Sequence, residues 1–180
     1  MAKSRDYIYM DVMNIQGKKI GYIKDLLVDF NKGEVIGFKI SPYRLLGKEF
    51  NVLKENIVYY KSQLVINNIV KDKYLEFSSI LNMHVIDKCS NILGLVSEII
   101  FGDDDFKIKG LAVKDYNIFS MFKSRSILLK PYLILGDEYI LYTAENTNIA
   151  LECMPNVGKK KATNKDVYYE KDWLELEYLR

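Results

Sequence analysis

Residues 12–21 read VMNIQGKKIG, and residues 85–94 read VIDKCSNILG. The two stretches share apolar residues at positions 12 and 85, 13 and 86, and 20 and 93, and both end in glycine, at a spacing of 73 residues. The same register continues without a gap over further pairs: Ile23 and Val96, Asp25 and Glu98, and the segments 37–40 and 110–113. An internal repeat of this length indicates that one structural unit occurs twice. The sequence therefore predicts two similar domains.

The repeat also sets the predicted domain boundaries. Three residues are inserted in the second copy, after which residues 52–54 correspond to residues 128–130. The copies end in the short apolar runs 63–67 and 138–142. We therefore predict a first domain over residues 1–78, a second over residues 79–150, and a C-terminal extension over residues 151–180.

The local pattern in each copy is that of β-strands. Residues 19–30 are rich in branched and aromatic side chains, and the turn sequence NKG at 31–33 separates them from a return strand at 34–40. Residues 92–113 repeat this hairpin around the turn sequence GDDD. The prediction is an all-β chain of two small barrels. Four glycines are predicted to serve bends or close backbone approach within these sheets: Gly21, Gly37, Gly94 and Gly110.

Composition excludes several classes of protein. The chain of 180 residues is 49% hydrophobic and 28% charged, which is a globular balance. No apolar run is long enough to cross a membrane, so no membrane span is expected. Two cysteines cannot hold a small secreted scaffold together, and we therefore expect a cytoplasmic location.

Charge does not favour a nucleic-acid partner, although it leaves one open. Residues 1–80 contain thirteen basic against nine acidic side chains, and the whole chain has a formal net charge of +2. A nucleic-acid binder usually concentrates its cations on one face. Here the lysines are interspersed with acids, which is typical of an ordinary solvated surface.

The reactive side chains do not form a recognisable catalytic, cofactor or metal motif. His84 is the single histidine, and a thiol at Cys89 would depend on it as a base. The run Asp103–Asp104–Asp105 lacks the alternating ligands of a calcium loop, and a solvated turn is the better interpretation. No glycine-rich phosphate-binding motif occurs. We expect no catalytic residue, no cofactor and no metal.

Two loops and the C-terminus carry the side chains that are typical of protein interfaces, where aromatic residues and arginine are enriched. The candidate contact residues are Tyr43, Arg44, Lys48, Phe122, Lys123, Arg125 and Trp173. The alternative is that the apolar residues of these loops complete the barrel cores. Residues 167–179 fit both a helix and a strand, and they either dock on their own barrels or bind another molecule.

The repeated pattern resembles the PRC-barrel family, which occurs in the photosynthetic reaction-centre H subunit and in the ribosome-maturation protein RimM. The resemblance is carried by an aliphatic-glycine pair, an apolar-x-acid step and a glycine-apolar return strand in each copy: Ile20-Gly21 and Leu93-Gly94, Ile23 to Asp25 and Val96 to Glu98, Gly37-Phe38 and Gly110-Leu111. It implies a binding or assembly module without shared catalytic residues, found in some bacterial proteins linked to sporulation. A ribosome- or RNA-associated factor resembling RimM is the alternative, and a homo-oligomer stays open.

Two positions depart from the family pattern. Ser90 stands where the first copy has the turn glycine Gly17, and residues 54–56 lack the proline found at Pro131 in the second copy. We interpret both departures as drifted loops within an unchanged fold.

Overall fold

A computed structural model describes residues 1–44, 46–114 and 126–144. These residues form two seven-stranded sheets. The first sheet contains β2 (Asp11–Asn14), β3 (Lys19–Asp29), β4 (Glu34–Pro42), β5 (Phe50–Leu53), β6 (Ile57–Tyr60), β7 (Leu64–Ile66) and β8 (Leu75–Glu76). The second contains β1 (Ala2–Lys3), β9 (His84–Ile86), β10 (Ile92–Phe101), β11 (Ile108–Lys114), β12 (Ser126–Leu129), β13 (Leu133–Leu135) and β14 (Tyr139–Tyr142). The prediction of an all-β chain with two sheet units is confirmed.

The two sheets have the same strand order. It runs β5-β4-β3-β2-β7-β6 in the first sheet and β12-β11-β10-β9-β14-β13 in the second. In both sheets the long hairpin is antiparallel. The strand next to the hairpin pairs in parallel with the following strand of the sheet, β2 with β7 in the first sheet and β9 with β14 in the second. Short helices α1 (Ser4–Tyr7) and α2 (Phe77–Ile80) and the 3₁₀ turns Lys54–Asn56 and Lys130–Tyr132 also occur at equivalent places. The loop without proline therefore adopts the same turn as the loop that contains Pro131.

The backbone repeats even where the side chains differ. Of the seven described residues with positive φ, six form pairs 73 residues apart: Tyr9 and Asn82, Gly17 and Ser90, Gly33 and Phe106. Ser90 has a φ of 64°, close to the 78° of Gly17, although a side chain makes this conformation less favourable. The departure at Ser90 thus changes the residue and keeps the turn.

The four glycines singled out from the sequence lie where a neighbouring strand comes very close. A Cβ at Gly37 would be 2.1 Å from the carbonyl oxygen of Val52, and one at Gly110 would be 2.4 Å from that of Leu128. At Gly21 and Gly94 the corresponding distances to the nearest carbonyl oxygen are 2.3 and 2.4 Å. Any larger residue at these positions would push the paired strands apart.

The two halves exchange their first strands. Strand β1 pairs with β10 of the second sheet, with Ala2 opposite Phe101. Its equivalent β8, 73 residues later, pairs with β3 of the first sheet, with Leu75 opposite Val28. The repeating unit thus begins at Ala2 and again at Leu75. The domain boundaries after residues 78 and 150 stay predictions, and the extension from residue 151 lies outside the described residues.

The halves also meet at their hairpin turns. The Val35 amide donates to the Phe106 carbonyl at 2.8 Å, and the Ile108 amide donates to the Gly33 carbonyl at 2.7 Å. The 73-residue shift relates Val35 to Ile108 and Gly33 to Phe106, so the two hydrogen bonds are equivalent. A pseudo-two-fold axis therefore passes between them. The buried side chains of both halves form one cluster around this axis, in which Tyr7 of α1 stacks on Phe38 and contacts Phe101.

Two buried acids hold the exchanged segments. The carboxylate of Asp25 accepts hydrogen bonds from the Ser78 amide at 3.2 Å and from the Leu26 amide at 2.8 Å. At the equivalent place the carboxylate of Glu98 pairs with Arg5 at 3.1 Å. Asp25 and Glu98 are the acids of the apolar-x-acid step, and each anchors the segment that follows the exchanged strand.

Replacing Asp25 with alanine is expected to destabilise the fold by about 1–3 kcal/mol, because it leaves two amides unsatisfied near the core. Urea unfolding followed by circular dichroism measures the loss. Asp25→Asn is the matched control, since it retains one acceptor oxygen and should recover most of the stability. Equal losses in the two variants would contradict this role for the Asp25 oxygens.

Candidate protein-interaction surface

Three tyrosines form a row of tilted, neighbouring rings on the outside of the first sheet. The ring centroids of Tyr9 and Tyr22 are 5.9 Å apart, and those of Tyr22 and Tyr43 are 5.8 Å apart. Tyr9 is 77% exposed and Tyr43 is 52% exposed. Rings at this spacing support one another while most of the outer two remains in solvent. We call Tyr9, Tyr22 and Tyr43, together with Arg44, Leu46 and Lys48, the tyrosine surface.

The central ring is placed by the sheet and the outer rings by the segments that flank it. Tyr22 lies on β3, directly opposite Asp11 on β2 and Ser41 on β4. Tyr9 follows α1 with a φ of 69°, and its amide donates to the Ile23 carbonyl at 2.9 Å. Tyr43 comes directly after β4. The row therefore runs from the segment before β2, over β3, to the segment after β4.

A carboxylate fixes the hydroxyl of Tyr43. Asp11 accepts a hydrogen bond from the Tyr43 hydroxyl and pairs with the Lys19 ammonium group. The Lys19 hydrogen bond first, and then that of Tyr43, lower the pKa of Asp11 below its usual range. The same bond raises the pKa of Tyr43. At neutral pH the carboxylate is charged and the phenol keeps its proton, so this contact holds the outer ring in place.

The loop after Tyr43 projects into solvent. Leu46 is 98% exposed, and Arg44 and Lys48 are both exposed. A turn closed by the Gly47 amide donating to the Arg44 carbonyl at 2.9 Å shapes the loop. Leu46 therefore does not complete the barrel core. Exposed aliphatic, aromatic and arginine side chains in one place are the mixture found at the centre of protein interfaces.

Several predicted contact residues lie outside the described part of the chain. They are Phe122, Lys123 and Arg125 of the second loop, and Trp173 of the C-terminal extension. The tyrosine surface is consequently built on Tyr43, Arg44 and Lys48 from the sequence prediction. Tyr9 and Tyr22 were not predicted, because their separation along the chain does not indicate that the segment before β2 lies beside β3.

The reactive side chains lie apart from the tyrosine surface. His84 is on β9, between Leu95 on β10 and Tyr139 on β14. Cys89 is exposed in the turn between β9 and β10, where its amide donates to the Asp87 carboxylate at 2.8 Å. Asp105 accepts the Lys107 amide within the turn between β10 and β11. Over residues 1–44, 46–114 and 126–144, no three potential ligands come together in a way that could hold a metal ion.

Comparison with known proteins gives a family for the first half. No curated protein matches the sequence. In the described ranges, the helices are too short and too polar to cross a lipid bilayer. The family model of the PRC-barrel domain matches residues 1–75, a range that ends within β8, the strand that completes the first sheet. The chain therefore contains a PRC-barrel domain at residues 1–75, followed by a second β-rich unit with the same strand order.

Proposed function

We propose that this protein is a non-catalytic interaction and assembly module that binds a protein partner through the tyrosine surface. PRC-barrel domains mediate protein interactions and are generally non-catalytic. The observation that carries the proposal is the exposed tyrosine row beside Arg44 and Leu46. We place the module in the cytoplasm of a bacterium, as part of a regulatory or sporulation-linked complex. The second loop with Phe122, Lys123 and Arg125 is proposed as a further contact.

The chemistry of the surface favours a protein over a nucleic acid. Tyr43 and Leu46 offer apolar area, and Arg44 and Lys48 are exposed cations close to them in the chain. A third cation, Lys19, is paired with the Asp11 carboxylate that also accepts the Tyr43 hydroxyl. A groove for single-stranded RNA combines aromatic rings with a continuous positive track. The tyrosine surface offers the aromatic rings but lacks the continuous positive charge, so it gives less support to the RimM-like, RNA-associated alternative.

Replacing Tyr43 with alanine is expected to weaken partner binding at least about tenfold, because exposed aromatic anchors at interface centres contribute ~2 kcal/mol or more. The measurement is quantitative capture of partners from native lysate on immobilised full-length protein. Arg44→Ala should produce a loss in the same partner. Thermal unfolding should be almost unchanged in both variants, since both side chains are exposed.

Tyr59→Ala is the matched control, because Tyr59 is 45% exposed and lies on β6, outside the tyrosine surface. It should retain full capture. Equal capture by Tyr43→Ala and the unaltered protein would contradict the proposed surface. Binding that disappears with nuclease treatment, and that weakens steeply as salt rises, would instead support the RNA-associated alternative.

A further inference from the structure

The two sides of the pseudo-two-fold axis are filled differently. On one side five aromatic rings pack together, with neighbouring centroids 5.2–6.5 Å apart. We call this cluster the aromatic plug, and its members are Tyr7, Phe38, Tyr60, Phe101 and Phe106. The Tyr60 hydroxyl donates to the Asp103 carbonyl at 2.8 Å, so the plug also closes the gap between the first sheet and the turn of the second hairpin.

The equivalent positions on the other side hold no aromatic ring. The 73-residue shift relates Tyr7, Phe38, Phe101 and Phe106 to Ile80, Leu111, Val28 and Gly33. The fifth pair is Tyr60 and Leu135, and it follows from the strand register. Tyr60 lies opposite Leu64 in the first sheet, and Leu135 lies opposite Ile140 at the same place in the second. Phe106 and Gly33 have nearly the same positive φ, 56° and 68°, so the backbone is alike and only the ring is missing.

A cleft opens where these rings are missing. Val28, Ile80 and Leu135 line it, and its volume is about 570 Å³. The equivalent region beside the plug, lined by Met1 and the turn 102–105, encloses about 280 Å³. Phe30 and Tyr74 are the aromatic residues among the described lining of the cleft. A cleft this size is in the range that holds a bulky side chain or a small ligand.

The plug shows what kind of group fits such a site. Its two tyrosines bury their rings and direct their hydroxyls to a polar turn, at Asp103. The cleft has an apolar floor and a polar rim that includes Ser79, Asn31 and Asp137. A large aromatic side chain with a polar edge, tyrosine or tryptophan, matches this combination.

We propose that the C-terminal segment, residues 167–179, docks in this cleft of its own chain and inserts Trp173 there. The segment contains Tyr168, Tyr169, Trp173 and Tyr178, and Trp173 is the one tryptophan of the sequence. The cleft wall at Leu135 and the last described residue, Ala144, both flank β14. The 28 residues between Ala144 and Trp173 extend to as much as ~90 Å, which reaches any point of the molecule.

Tethering and charge both permit docking within one chain. Because the segment belongs to the same chain as the cleft, its effective concentration there can reach the millimolar range, well above that of a free partner. On the rim, Asp29 is already paired with Lys32 at 3.4 Å, and Lys171 of the segment supplies a cation for Asp137. In this arrangement Trp173 binds within its own chain, and the tyrosine surface is left free to bind a partner. The inference therefore does not depend on the proposed partner.

The test uses the fluorescence of Trp173 in the full-length protein. We expect its emission at a shorter wavelength than in the urea-unfolded chain, with reduced quenching by iodide. Leu135→Tyr restores a ring at the position of Tyr60 and fills the cleft. It should move the emission to longer wavelength and raise quenching to the level of the unfolded chain. The control is Ile134→Tyr, which adds the same ring to an exposed position on the same strand, 56% exposed.

Three results would overturn the proposal. The first is that Trp173 of the unaltered protein has the same emission and quenching as in the unfolded chain, and the second is that Leu135→Tyr changes neither. The third is an emission wavelength that depends on protein concentration, which would indicate docking into a second copy. Hydrogen exchange gives a second measurement that leaves the cleft unaltered. Trp173→Ala should speed the exchange of amides at 79–83 and 135–139, which border the cleft, and leave those at 41–44 unchanged. Exchange at the cleft that is the same in Trp173→Ala and in the unaltered protein would likewise contradict docking.

Discussion

Gly37→Ala is expected to cost about 3 kcal/mol or more of folding free energy. The added Cβ would lie 2.1 Å from the Val52 carbonyl oxygen and 2.8 Å from the Leu53 Cα. Both neighbours are backbone atoms of β5, so no side-chain rotation relieves the clash and the β4–β5 pairing must open. Overpacking that shifts backbone typically costs 1–3 kcal/mol and sometimes more, which is a large share of the roughly 5–15 kcal/mol that holds a domain folded.

Urea unfolding of the purified variant measures this loss, and Gly17→Ala provides the control. Nothing lies within 4 Å of a Cβ at Gly17, so this variant loses only the preference of glycine for a φ of +78°, about 1–2 kcal/mol. Gly110→Ala should behave like Gly37→Ala, because its Cβ would lie 2.4 Å from the Leu128 carbonyl oxygen. If Gly37→Ala were no more destabilised than Gly17→Ala, close strand approach would not be the reason for the glycine.

Deleting residues 1–7 is expected to destabilise the second sheet more than the first. The deletion removes β1 from the edge of β10 and removes Arg5, the partner of the buried Glu98. It also removes the buried ring of Tyr7, and truncating a buried aromatic residue alone costs about 3–5 kcal/mol. The reason for the asymmetry is the strand exchange, since the first sheet keeps its own added strand, β8.

Hydrogen exchange measured by mass spectrometry resolves this effect along the chain. Protection should fall most at residues 100–101, where β1 was paired, and less at residues 26–28, where β8 remains. Tyr7→Ala is the smaller companion variant, and it should weaken both halves because its ring contacts Phe38 and Phe101. A loss of protection confined to residues 26–28 in the deletion variant would contradict the exchange.

The repeat explains why the sheets were predictable and the strand exchange was not. Gly37 and Gly110 occur in step within long apolar strands, so the sequence marks both the period and the hairpins. Strands β1 and β8 have two residues each, AK and LE, and no periodicity can be read from two residues. Their partners lie far away in sequence or in the other sheet, and such choices depend on the assembled core.

The candidate surface was predictable only in its loop. Tyr43 and Arg44 attract attention because aromatic and basic residues alternate with aliphatic ones there. Tyr9 joins the row because α1 is followed by a residue with positive φ, and such a conformation at a tyrosine has no sequence signature. The aromatic plug depends on a bulge between Ile57 and Tyr59, which brings Tyr60 into register with Leu64, and bulges are set by pairing rather than by local composition.

The exchange of first strands sets the order in which the molecule can be completed during its synthesis. At ribosomal rates of about 5–20 residues per second, Ala2 and Lys3 wait roughly 5–20 s before Phe101 has been made. Throughout that interval β1 has no strand to pair with, because β10 is incomplete. The first sheet, in contrast, can be completed as soon as Leu75 and Glu76 of β8 emerge. A translation product that stops before Phe101 therefore carries an unpaired strand, which is the feature that invites association with other chains.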